Sequence, residues 1–190
     1  MSFLFQLLLI IMQGYETQPY KVVSSFNEIE IRYYPSVKLV QTESASEENQ
    51  NFSRLFRYIS GANNTNQKIA MTTPVHMKST DKSQKMAFVL PASFNENPPE
   101  PASDLVKIVS SKAGHFAAIQ YGGYSNPEKV RYFTDKLKKT LNANNIKSIG
   151  LPTLLGYNAP YKFYNRRNEI IIEISYTPPC LLYTSDAADE

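Results

Sequence analysis

The chain has 190 residues, 42% of them apolar and 19% charged, and a formal net charge of +3. These values exclude a disordered, fibrous or low-complexity chain and suit one domain around one substantial core. With one cysteine and two histidines, the sequence holds neither a disulfide framework nor a Cys/His metal cluster.

Residues 3–12 read FLFQLLLIIM. The run is about half the ~20 apolar residues that span a bilayer, so no transmembrane helix is expected. It reads as a signal-peptide core, with Gly14 as the small residue before cleavage. Residues 1–14 are then a leader and the mature protein is secreted; a buried N-terminal strand or helix is the alternative. The sequons Asn51-Phe52-Ser53 and Asn63-Asn64-Thr65 fit a secretory route and make Asn51 and Asn63 glycosylation candidates.

Strands are expected over 20–24, 28–33 and 37–42, the second from the alternation of Ile29, Ile31 and Tyr33 with Glu28, Glu30 and Arg32. A helix follows over 47–60, with Phe52, Leu55, Phe56 and Ile59 as its apolar stripe, Ser46 as N-cap and Gly61 as stop. Strands over 69–77 and 86–91 complete the first half. The segment NENPPEP (residues 95–101) is a linker poor in residues that join a ladder. The second half repeats the order: strands over 105–110 and 115–121, a helix over 127–144, then strands over 154–157 and 170–175. Asn126 caps that helix, Pro127 suits its first position, and Val130, Phe133, Leu137 and Leu141 form its stripe. Gly122-Gly123 reads as a hairpin turn. Ile170, Ile172 and Ile174 alternate with Ile171, Glu173 and Ser175, which predicts one buried face.

Residues 180–190, CLLYTSDAADE, match nothing upstream and resemble an in-frame translation of a sequencing adaptor. They read as a non-native tail, with a disordered native tail as the alternative. Setting them aside removes Cys180, the one cysteine, and also Asp186, Asp189 and Glu190, which raises the net charge from +3 to +6. That balance suits an anionic ligand or surface. The domain is then 15–179, with units at about 18–91 and 104–176. Two strand–strand–helix–strand–strand units make an α+β fold, a curved antiparallel sheet with two helices on it. A concave apolar face on such a sheet suits a small ligand.

The segment KIAMTTPV (residues 68–75) resembles the signature of the SOUL/haem-binding family. EIRYYP (30–35), RYISG (57–61), MAFVLP (86–91) and YNAPYKFYNRRNEI (157–170) resemble other segments of the same family in the same order. The resemblance covers residues 18–176 and implies a duplicated, distorted β-barrel with two helices. It implies non-covalent binding of haem or a related tetrapyrrole in an apolar groove with basic residues at its rim, as a non-catalytic carrier or buffer. By the same resemblance Phe56 stands at a groove position, while Arg57 and Lys162 stand where relatives carry rim cations. A further family cation falls on Asn49 here. From the residues themselves, Phe56 is equally a core residue, Arg57 a helix-end cation and Lys162 an ordinary loop lysine. Met71 offers soft packing against an aromatic or a flat ligand, and Pro74 marks an edge or bulge. Arg166, Arg167 and Glu169 read as a surface ion-pair cluster.

Iron needs His, Cys, Met or Tyr. Some relatives use a His near 37–40, and none stands there. His115 reads as an exposed turn residue, so no strong axial ligand is expected and His76 is the outside candidate. No G-x-S-x-G, H-E-x-x-H, P-loop or G-x-G-x-x-G motif is present, and no enzyme is expected. Lys136, Lys138 and Lys139 read as a solvated helix face, not a nucleic-acid patch. The expected partner is a small apolar anion. A binder of other apolar ligands, or a secreted signalling protein with a vestigial pocket, stays open, as does the oligomeric state.

Overall fold

The computed structural model describes residues 15–45, 50–80 and 82–176. The expected leader at 1–14, Ser46, Glu47 and Asn49, and the expected tail at 180–190 lie outside the described residues. In chain order the elements are β1 (Glu16–Thr17), β2 (Lys21–Phe26), β3 (Ile29–Tyr34), β4 (Lys38–Ser44), α1 (Gln50–Ile59), β5 (Thr72–Thr73), β6 (Val75–Ser79) and β7 (Gln84–Val89). They continue with β8 (Val106–Ser110), β9 (Gly114–Gly122), α2 (Pro127–Ala143), β10 (Lys147–Ser148), β11 (Thr153–Gly156) and β12 (Arg167–Ser175). The expected strand over 69–77 is divided by Pro74, which follows a cis peptide bond and separates β5 from β6.

Ten strands form one antiparallel sheet in the order β2-β3-β9-β12-β11-β6-β7-β4-β8, with β10 also pairing β12. The sheet is open, with β2 and β8 at its edges, so the barrel alternative gives way to the curved-sheet one. Two arms meet at an antiparallel seam where Leu154 on β11 faces Met77 on β6. The leading strands are exchanged between arms: β3 precedes β4 in the chain but pairs β9, and β8 precedes β9 but pairs β4. Each arm therefore needs a strand from the other half of the chain.

Both helices pack on one face of the sheet. Asn126 accepts from the Lys129 N–H at 2.8 Å, and Pro127 occupies the first turn of α2, as the local sequence dictates. Leu137 and Leu141 bury fully against Ile29, Ile31, Ile119, Ile170 and Ile172; truncating either leucine to alanine costs ~2–5 kcal/mol. Gly123 (φ 77°) turns the chain into α2 and not into a hairpin. Lys136 is paired with Glu28, so part of the lysine face is anchored. In α1, Leu55, Tyr58 and Ile59 are buried under Val40, Phe88 and Val106, and the Tyr58 hydroxyl donates to the Pro99 carbonyl at 2.8 Å.

The other face of the sheet is also covered. β12 was expected to bury one face, yet Ile171 is buried too, packed with Ala118 and Leu155. Its cover includes the segment 15–20. Gln18 is buried and shares a hydrogen bond with His76 at 2.7 Å, and the Tyr20 ring lies tilted against Tyr34, centroids 5.3 Å apart. A central strand covered on both sides accounts for the near-continuous isoleucine run.

Candidate functional site

α1 packs on β4, β7 and β8, while α2 packs on β9, β10 and β12. The seam β11–β6 between them forms the floor of a groove of about 720 Å³. Because side chains alternate along strands, Val75 and Met77 of β6, Met86 of β7, Leu154 and Gly156 of β11, and Asn168 and Ile170 of β12 all rise into it. Met77 and Met86 face each other directly across β6 and β7. Phe52 of α1 forms one wall, and Val130 and Arg131 of α2 form the other.

Two cations line the groove, Arg131 and Arg166. Arg166 closes the β11–β12 loop: its Nη1 donates to the carbonyls of Ala159 (2.8 Å), Pro160 (3.4 Å) and Lys162 (2.5 Å). Its guanidinium lies 4.5 Å from the Tyr124 ring centroid. The Nε is buried and, among the described residues, has no hydrogen-bond partner, which leaves an unsatisfied donor of a permanent cation at the groove's end. Among the described residues the lining contains no Asp, Glu, His or Cys.

The residues singled out in the sequence are distributed around this groove rather than gathered in it. Phe56 is 50% exposed and stacks on Phe52, centroids 5.9 Å apart and planes 13° apart. It stands beside the wall and outside the core, because Tyr58 and Leu55 take the buried side of α1. Arg57 lies on the opposite flank of α1, in a separate cleft with Arg54, Tyr58 and Pro101. Met71 is half-buried and packs into the core beneath α1. Lys162 sits in the β11–β12 loop with its Nζ 5.8 Å from the Tyr164 ring centroid, so Arg57 and Lys162 do not converge on one rim. Met77, Met86, Tyr124, Arg131 and Leu154 carried no local signal of a ligand role.

His76 points to the far face of the sheet, away from the groove, since it alternates with Val75 and Met77. Burial lowers its pKa to about 4. His115 is no turn residue: it lies within β9, half-buried between Tyr33 and Tyr176. Both glycosylation candidates are buried in the folded chain. Asn51 is 3% exposed with its Nδ2 bonded to Ser44 and Gln84, and Asn63, also 3% exposed, is bonded through both ends of its amide. An Nδ2 held in this way has no room for a sugar.

Of the expected surface cluster, Arg167 and Glu169 instead join a network on the far face, while Arg166 turns to the groove. Glu169 is fully buried and accepts from Arg32, Arg167 and Tyr157. Burial pushes its carboxyl up, but the hydrogen bonds and charges of Arg32 and Arg167 outweigh that and hold its pKa below the usual range. Burial raises Tyr34 to about 12. The network ties β3 to β12 and caps the far side of the strands that floor the groove.

A family model described as SOUL heme-binding protein matches residues 15–173. A curated protein of Sus scrofa named Heme-binding protein 1 is 25% identical over 171 residues, covering 82% of this chain and 90% of the relative. The protein of the same name from Xenopus laevis is 27% identical over 173 residues, covering 83% and 91%. Among solved structures, the EcmrR C-terminal domain superposes with a TM-score of 0.58 at 10% identity, over 83% of this chain and 99% of that one. A hydrolase from Listeria innocua superposes with a TM-score of 0.56 at 9% identity, over 80% and 94%. At such identities the two superpositions establish a shared fold and nothing about ligand or chemistry.

Proposed function

Since the chain belongs to the SOUL heme-binding protein family, we propose that its groove between α1 and α2 holds haem or a related tetrapyrrole non-covalently, as a non-catalytic carrier or buffer. One observation carries this reading: an apolar slot of about 720 Å³, floored by Val75, Met77, Met86, Leu154 and Ile170, whose lining bears two cations. The volume lies within the ~300–1,000 Å³ of small-molecule sites. A porphyrin is a broad apolar disc with two carboxylates on one edge. Its disc matches the floor, and its carboxylates match the guanidinium groups of Arg131 and Arg166 in the lining. For iron, the lining offers the thioethers of Met77 and Met86 and the phenol of Tyr124 as donor types. The size of the groove favours a working pocket over a filled remnant, and a lining that holds no carboxylate, imidazole or thiol among the described residues favours a binding role over hydrolysis.

The testing experiment is a haemin titration followed in the Soret band, repeated with iron-free protoporphyrin and with Gly156→Leu, which fills the floor. Saturable binding of both ligands that the substitution weakens supports the reading; no saturable binding of either sinks it. A different bulky apolar anion is the second reading, favoured by Met77 and Met86, whose flexible side chains adapt to several shapes.

We propose further that the protein acts outside the cell, on the strength of the apolar run at residues 3–12. Amino-terminal sequencing of material collected from the medium of secreting cells is expected to begin at Tyr15; retention of residues 1–14 inside the cell opposes it.

A further inference from the structure

The β11–β12 loop, residues 157–166, is held firmly yet displays its largest side chains to solvent. Besides the Arg166 clamp, the Asn158 Oδ1 accepts from the Arg167 N–H at 2.6 Å, and the Lys162 N–H donates to the Ala159 carbonyl at 3.1 Å. Tyr161 is nevertheless 81% exposed, Phe163 75% and Tyr164 64%. Tyr124, also exposed, reaches the loop through its hydroxyl, 3.4 Å from the Pro160 carbonyl. Isolated exposed aromatics are ordinary, but a group of them on one braced loop is not. The loop is also one-signed: residues 157–166 contain Lys162 and Arg166 and no Asp or Glu. Asn158, Pro160 and Arg166 belong to the groove lining, so this loop is the groove's rim.

We propose that this loop docks the protein on the surface of an anionic lipid bilayer. Tyr161, Phe163 and Tyr164 enter the headgroup region, Lys162 meets the lipid phosphates, and the groove mouth is brought against the membrane. The chemistry of the patch selects this occupant. Tyrosine rings with a polar tip, a phenylalanine between them and the interleaved Lys162 match the graded polarity of a bilayer interface. The absence of acidic residues matches the negative potential of anionic lipids. An apolar ligand that partitions into lipid is thereby loaded from the membrane and not from water.

The chain has no Trp, so Phe163→Trp places a single fluorophore at the loop. The full chain is mixed with vesicles of phosphatidylcholine containing roughly one quarter phosphatidylserine, and with phosphatidylcholine alone. The expected result is co-sedimentation with the anionic vesicles, weakened by salt, with a blue shift in Phe163→Trp emission. Tyr161→Ser with Phe163→Ser lowers the bound fraction about tenfold while leaving the melting temperature and the haemin titration in vesicle-free buffer unchanged. Absence of co-sedimentation, equal binding to neutral vesicles, or binding indifferent to the loop substitutions overturns the proposal. The haemin titration in buffer is read separately, so failure of the groove reading is distinguishable from failure of this one.

Discussion

Arg32 on β3 and Glu169 on β12 meet across β9, with Nη1 to Oε2 at 2.7 Å and Nη2 to Oε1 at 3.1 Å. The carboxylate is shared with Arg167, at 2.7 and 3.0 Å, and with the Tyr157 hydroxyl at 2.9 Å. The Arg32 guanidinium lies 4.2 Å from the Tyr20 ring centroid. Removing one member leaves buried charge unpaired, which costs more than the pair itself contributes. Glu169→Gln is expected to lower stability by about 3–5 kcal/mol in urea unfolding. Arg32→Met combined with Glu169→Leu is expected to recover much of that loss. If Glu169→Gln unfolds at the same urea concentration as the unsubstituted protein, the network has no structural weight.

His76 supplies a separate pH signature. Its ring is held on the far face by Gln18 at 2.7 Å, beside Lys78, Lys85 and Thr153. The unfolded chain protonates it near pH 6.5, whereas the folded protein does not until about 4. Stability from this residue is therefore complete above pH ~6.5 and declines as pH falls towards 4, by up to about 3 kcal/mol. Glu169, whose pKa is lowered, contributes stability that is complete above the ordinary glutamate range and is lost only below it. Urea unfolding from pH 7 to 4.5 is expected to show a slope that His76→Gln flattens. Parallel slopes for the two proteins contradict a neutral imidazole in the folded protein.

What the sequence revealed and what it hid divide along contact distance. The cap of α2 was legible because Asn126, Pro127 and Lys129 are neighbours in the chain. The strands showed through period-two alternation, which is also local. The apolar stripe of α1 was legible as a stripe, but not which of its edges meets the sheet; Tyr58 takes the buried side and leaves Phe52 and Phe56 at the groove. The groove floor was not legible, because Met77, Met86, Leu154 and Ile170 come from four strands and no spacing links them. Glu169 read as a surface residue for the same reason: its partner Arg32 is 137 residues away.

Asn63 carries a glycosylation motif, yet its amide is taken up inside the fold. Its Nδ2 donates to the carbonyls of Tyr58 and Gln67 at 3.2 and 2.7 Å. Its Oδ1 accepts from the Thr65 hydroxyl at 2.9 Å and from the Gln67 N–H at 3.0 Å. The amide thus ties the end of α1 to the segment that leads to β5. In a glycosylating secretory host, the intact mass is expected to show no glycan at Asn63. Asn63→Ala is expected to cost about 2–3 kcal/mol in urea unfolding, from the lost bonds and the buried groups left unpaired. A hexose-bearing Asn63 in folded protein contradicts the assignment.

The charges around α1 and the groove separate two models of the rim. The resemblance pointed to Arg57, which faces a cleft with Arg54 and Pro101, while Arg131 and Arg166 line the groove itself. If the carboxylates of the ligand rest on the groove cations, Arg57→Ala leaves haemin affinity within about twofold, because an exposed charge off the site acts weakly through solvent. Arg131→Ala and Arg166→Ala each lower it about tenfold, the scale of one lost charge-assisted hydrogen bond. Arg166→Ala also frees the carbonyls of Ala159 and Lys162, so its melting temperature is measured alongside. Gly156→Leu tests shape without changing charge. A Cβ at Gly156 already lies 3.1 Å from the Met77 terminal methyl, so a leucine crowds the floor and is expected to weaken protoporphyrin and haemin alike. Should Arg57→Ala be the damaging change while Gly156→Leu and Arg131→Ala are neutral, the ligand sits in the cleft on the other flank of α1.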